Sequence, residues 1–154
     1  MEAIESYYDL ARIRTEEQDK RRIHFDTMAS AMLGVSGAIV ALTGFTTEQW
    51  TRLTVGLFGP VLLIFLLTAH YVYNELALRG WILRPVLKEY AGHIYDPTYL
   101  DTELVFWAAT EMDRANAENE QHLTDKAYWL DRTYKAFVAL VSIASLFIAA
   151  TNLH

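Results

Sequence analysis

A chain of 154 residues has room for one domain, and its net charge of −6 argues against an electrostatic nucleic-acid binder, which needs a basic field. It contains no cysteine, which excludes a disulfide framework, a thiol nucleophile and a cysteine metal site. Hydrophobic residues make up 53% and charged residues 21%, but the two are sorted into alternating blocks, and the blocks carry the information.

Residues 1–26 read as a helix. They lack Gly and Pro, and Ile4, Tyr7, Ala11, Gln18 and Phe25 recur at helical spacing, so one face can pack while the other stays wet. Lys20, Arg21 and Arg22 follow, where a cytoplasmic headgroup layer favours cations. The first apolar run begins too late, and after too many acids, for a cleaved leader, so it is expected to remain as an anchor.

Residues 27–47 carry no Asp, Glu, Lys or Arg and form the first expected span. Within it Ser30, Gly34, Gly37, Ala41 and Gly44 alternate in steps of four and three, which predicts a helix-packing seam of small residues. Residues 46–52 (TTEQWTR) make a short polar turn with Trp50 as an interfacial aromatic; so short a connection predicts an antiparallel hairpin.

Residues 53–74 are again uncharged. At about 1.5 Å per residue they extend about 33 Å, enough to cross a hydrocarbon core of about 30 Å. Gly59–Pro60 predicts a bend, because proline removes one backbone hydrogen bond and crowds the preceding turn. His70 and Asn74 lie one turn apart, a spacing that serves capping, bridging or metal ligation.

Residues 75–135 are a charged, helical region. Trp81, Ile82, Leu83 and Val86 alternate with Arg79, Arg84 and Lys88, which suits a continued or an interfacial helix; AGHIYDP at 91–97 is the clearest punctuation in the chain. From Asp101 a helix is expected to run without Gly or Pro into the last span, residues 136–153. Near-heptad positions around and along it are Leu100, Leu104, Trp107 or Ala108, Met112, Ala115, Asn119, His122 or Leu123, Lys126, Leu130, Tyr134 and Phe137. Ser142 and Ser145 begin a second small or polar packing stripe in that span.

These elements predict an all-α integral membrane protein. Three transmembrane helices, an antiparallel hairpin plus a C-terminal span, carry cytoplasmic helical extensions, and the lipid bilayer is the first partner. Of the 13 Lys and Arg, five precede the first span, seven lie between the second and third, and Arg52 alone falls opposite. The positive-inside rule then puts the N-terminus in the cytoplasm and the C-terminus outside.

Chemistry is sparse. An intramembrane acid or lysine would mark a site, and none falls within the three spans so bounded. The two-histidine zinc pattern and phosphate-cradling glycine loops are missing. Glu118 and His122, one turn apart, are read as solvated charge rather than metal ligands. No catalytic constellation emerges, so the expectation is no enzyme, no cofactor and no metal. A pore lined by Ser142 and Ser145 of several copies stays open as an alternative.

Two stretches carry a resemblance: FDTMASAMLGVSGAIVALTGF and ANAENEQHLTDKAYWLDRTYKAF. Together with the order of helix, hairpin, long helix and last span, they resemble the small transmembrane effectors of prokaryotic anti-phage systems, the Pycsar transmembrane effectors and the related SLATT domains. Asp26, Ala29, Asn119 and Lys126 match that pattern; Met28 stands where those proteins usually carry Lys. The resemblance implies a prokaryotic inner-membrane effector, assembled as a homo-oligomer, that disrupts the membrane when a nucleotide second messenger binds. A cyclic nucleotide would need cationic donors, for which Arg79, Arg84, Arg114 and Lys126 are the candidates. Residues 75–135 hold eleven acidic against seven basic side chains, so such a site must be local. The alternative is a constitutive membrane scaffold or interaction subunit without pore activity.

The topology is directly testable. Reporter fusions after Gly92 should report the cytoplasm and fusions after His154 the opposite side; one side for both would remove the third crossing.

Overall fold

The computed structural model describes residues 2–45, 52–77 and 101–152, and all of these are helical: α1 (Glu2–Phe45), α2 (Arg52–Ala77) and α3 (Asp101–Asn152). The 46–51 turn with Trp50, and residues 78–100 with Arg79, Arg84 and the 91–97 punctuation, lie outside the described residues. α1 unites the first charged helix with the first apolar run, and no Gly or Pro interrupts it before Gly34. α2 runs through Pro60 and continues beyond the uncharged stretch to Ala77. All three helices are long and apolar enough to cross a membrane, over Ser6–Phe45, Phe58–Ala77 and Glu103–Thr151.

The described residues divide into two compact units. In the first, 2–24 of α1 pack on 101–125 of α3. Tyr7 meets Phe106 with ring centroids 6.3 Å apart, Arg14 reaches Asp113, and Gln18 reaches Asn116 and Glu120. The partner numbers rise together, so this is a parallel pair.

The second unit joins 25–45 of α1, α2, and 126–152 of α3. Phe58 packs on Phe147 and Tyr71 on Trp129, at 6.2 and 6.0 Å between centroids. Here partner numbers run in opposite senses, so α2 is antiparallel to α3. The hairpin expected from the short 46–52 connection has the same sense on the α1 side, where Asp26 shares a partner with Glu75 and Gly37 approaches Phe65.

Burial follows a seven-residue beat in both units. On α1 the buried positions are Ala11 and Gln18, then Ala29, Ser36 and Thr43; on α2 they include Val61, Thr68 and Glu75. On α3 one series is Ala109, Asn116 and Leu123, and another is Asn119, Lys126, Thr133, Leu140 and Phe147. A heptad repeat keeps one seam of each helix facing its neighbours over many turns. The near-heptad reading of α3 holds at Asn119, Leu123 and Lys126 but slips elsewhere. Asn116 rather than Ala115, and Thr133 rather than the 57% exposed Tyr134, turn inward.

The small-residue stripe of α1 is divided by this register. Gly37 faces α2, with the Phe65 ring 3.9 Å from the position of an added Cβ, whereas nothing lies within 4 Å of one at Gly34 or Gly44. Ser30, Gly34 and Ala41 are exposed, as are Ser142 and Ser145 on α3. A leucine at Gly37 should therefore press on Phe65, and Gly37→Leu should cost about 1–3 kcal/mol of stability through overpacking. Leu42→Phe, on an exposed position, should be nearly neutral. Thermal unfolding of the two variants in the same detergent checks the difference.

Candidate functional site

Several hydroxyl groups in the apolar helices are satisfied within their own helix, although the buried Ser36 Oγ has no hydrogen-bond partner. Thr43 donates to the Ile39 carbonyl at 2.6 Å, Thr68 to Ile64 at 2.9 Å and Thr133 to Trp129 at 3.0 Å. Exposed Ser142 and Ser145 do the same toward Val138 and Val141. Back-bonding of this kind lets a polar side chain sit on an apolar helix without an orphaned donor.

Charge cannot be hidden so locally. Lys126 stands on the inward seam of α3, 4% exposed in its side chain, and its ammonium collects oxygens from both other helices. It donates to Asp26 Oδ1 on α1 at 2.6 Å, to the Glu75 carbonyl on α2 at 2.9 Å, and to Glu75 Oε1 at 3.3 Å. The Glu75 side chain is fully buried, and that of Asp26 is 38% exposed. This is the one place among the described residues where a hydrogen-bonded ion cluster ties α1, α2 and α3 together.

The first unit has a different polar interior, made of amides. Asn116 Nδ2 donates to the Ala11 carbonyl at 3.1 Å while its Oδ1 accepts from Thr15 at 3.0 Å. Gln18 Nε2 donates to the Asn116 carbonyl at 2.9 Å and to Glu120 Oε2 at 3.0 Å. Around this network Arg14 pairs with Asp113 at 2.9 Å and Arg21 with Glu120 at 3.4 Å. An open groove of about 450 Å³ lies along Tyr7, Leu10, Ile13, Arg14, Glu17 and Asp113; two carboxylates against one guanidinium make it a poor seat for an anion.

The four cations proposed from sequence as phosphate donors fall in different settings. Arg79 and Arg84 lie outside the described residues. Arg114 belongs to the first unit and is 74% exposed, 3.7 Å from Glu118 on its own helix. Lys126 belongs to the second unit, with its ammonium directed at Asp26 and Glu75. His70 and Asn74 bridge each other on the α2 surface at 3.1 Å, and Asn74 also donates to the His70 carbonyl at 2.8 Å. Among the described residues no three His, Cys, Asp or Glu converge on a metal-sized site.

Sequence reasoning singled out Lys126 and Asp26 but not Glu75. A span bounded by where charge begins ends at Asn74, one residue short of the acid that the structure places inside. The signal was the series Val61, Thr68, Glu75, which keeps the heptad of α2 across that boundary.

Removing the ammonium would leave Asp26 without its counter-charge and the buried oxygens of Glu75 without their donor. Lys126→Met should destabilise the protein by about 3–5 kcal/mol, against about 0–1 kcal/mol for Arg114→Ala at an exposed pair. Unfolding midpoints of the two variants in one detergent measure the contrast. No protein-family model, curated protein or solved structure matches this chain.

Proposed function

We propose that the chain is an integral membrane effector of a prokaryotic inner membrane, with its N-terminus in the cytoplasm and its C-terminus outside. The observation that carries the membrane reading is an inverted distribution of polarity in the second unit. Leu42, Leu63, Leu66, Val138 and Leu146 point outward, while Ser36, Thr43, Thr68, Thr133, Glu75 and Lys126 are buried. Water would exclude that outer surface, whereas lipid accepts it and drives the polar groups inward.

In this reading copies assemble through the small residues left outward, Ser30, Gly34 and Ala41 on α1 and Ser142 and Ser145 on α3. Helices can approach closely at such positions, where packing rather than hydrophobic burial drives association. The assembly perturbs or permeabilises the bilayer without catalysis. The trigger, a cyclic nucleotide, is carried over from the anti-phage resemblance, and Arg79, Arg84 and Arg114 are the cations offered to it.

A second reading, a constitutive membrane scaffold, is favoured by one specific observation. Arg14, Arg21 and Arg114 in the first unit each have a carboxylate within 4 Å, so these cations are already partnered inside the protein.

Expression in cells supplied with candidate cyclic nucleotides, followed by membrane potential and dye entry, separates the two. The effector should be nearly silent alone and depolarise cells with its messenger, and Arg114→Glu should abolish the response while leaving the protein in the membrane. Well-inserted protein that never depolarises across the nucleotide panel supports the scaffold.

A further inference from the structure

The ion cluster of the second unit does not balance as a set of ionised groups. Asp26 and Glu75 would bring two negative charges against the single positive charge of Lys126. The ammonium has three N–H donors, and Asp26 Oδ1, the Glu75 carbonyl and Glu75 Oε1 take all three. Glu75 Oε2 is left buried without a hydrogen-bond partner, on a side chain with no exposure at all. An ionised oxygen in that position would be an uncompensated charge removed from water, far costlier than an unpaired hydroxyl.

We propose that the cluster is a proton-binding site, in which Glu75 holds a proton on Oε2 and stands as a neutral acid beside the Lys126–Asp26 ion pair. The bound proton brings the cluster to zero net charge. Glu75 Oε1 still accepts from Lys126 as the carbonyl oxygen of the acid, so no contact in the structure is lost. Among the described residues, the charged groups set against Glu75 are Asp26 from α1 and Lys126 from α3. This site does not depend on the effector reading, because it follows from the packing of the three helices alone.

The sign of its pH dependence follows from linkage. At neutral pH the folded chain holds a proton that the solvated glutamate of the unfolded chain has released. Above the solvated glutamate value of about 4.3 stability therefore falls as pH rises, with the unfolding constant growing by up to about tenfold per pH unit until the folded chain too releases the proton. Releasing the proton leaves one net negative charge at the junction of α1, α2 and α3 and loosens that junction. The site thereby makes packing of the apolar helices responsive to pH.

The full chain in detergent micelles and in liposomes, with no added ligand, provides the test. Infrared spectra at neutral pH should show the carbonyl band of a protonated carboxyl group that shifts in heavy water and vanishes in Glu75→Gln. In Asp26→Asn the band should also vanish, because Glu75 then becomes the counter-ion of Lys126. Glu75→Gln, which mimics the neutral acid, should match the wild-type unfolding midpoint near about pH 4, exceed it at neutral pH and lack the wild-type fall between the two. A wild-type spectrum without such a band overturns the proposal, even if a variant fails to fold. So does a Glu75→Gln protein that folds but retains the band or the full fall between about pH 4 and neutral pH.

Discussion

An ammonium group shut away from water needs an acceptor for every proton it carries, and Lys126 finds its acceptors on two other helices. That requirement is directional. It fixes the facing of α3 at residue 126, of α2 at residue 75 and of α1 at residue 26, because a rotation of any one helix would strand a charge. Apolar contacts such as Phe58 with Phe147 tolerate small slips in register; the ion cluster does not.

The two units solve the burial of polar groups by different means. The parallel pair of the first unit uses amides, with Asn116 and Gln18 bonding across the seam to backbone and side chain alike. A buried amide on a heptad seam sets register, since any other pairing leaves its donors empty. The second unit folds the hydroxyls of Thr43, Thr68 and Thr133 back on their own helices and concentrates charge in one cluster, leaving Leu and Val on its outer surface. Such a surface suits a lipid environment, where backbone and side-chain polar groups must be satisfied from within.

This division bears on how the protein would act. Arg14, Arg21 and Arg114 lie against carboxylates in the first unit, while small residues on α1 and α3 are left outward in the second. In the effector reading the membrane-facing part does the work through assembly, and the charged helices receive the signal. A cluster that ties three helices through one lysine is a natural place for a small change of charge to have a large mechanical effect, because the groups it holds have no solvent to fall back on.

By itself the sequence determined that the chain is helical and that three of its stretches are long and apolar enough to cross a membrane. Runs such as residues 53–74 without a single charge leave little alternative. It also marked Lys126, Asn119 and Gln18 as seam positions, since polar residues at heptad spacing are visible in one dimension. Tertiary structure alone decided the register. The stripes Ser30–Gly34–Gly37–Ala41–Gly44 and Ala29–Ser36–Thr43 run side by side on α1, and the chain buries the second, bringing from the first only Gly37 against the Phe65 ring. Periodicity cannot choose between adjacent stripes, because the choice depends on which bulky group a partner helix presents. The same holds for Glu75: a boundary drawn where charge begins excludes it, and only the ammonium brought from α3 makes its burial affordable.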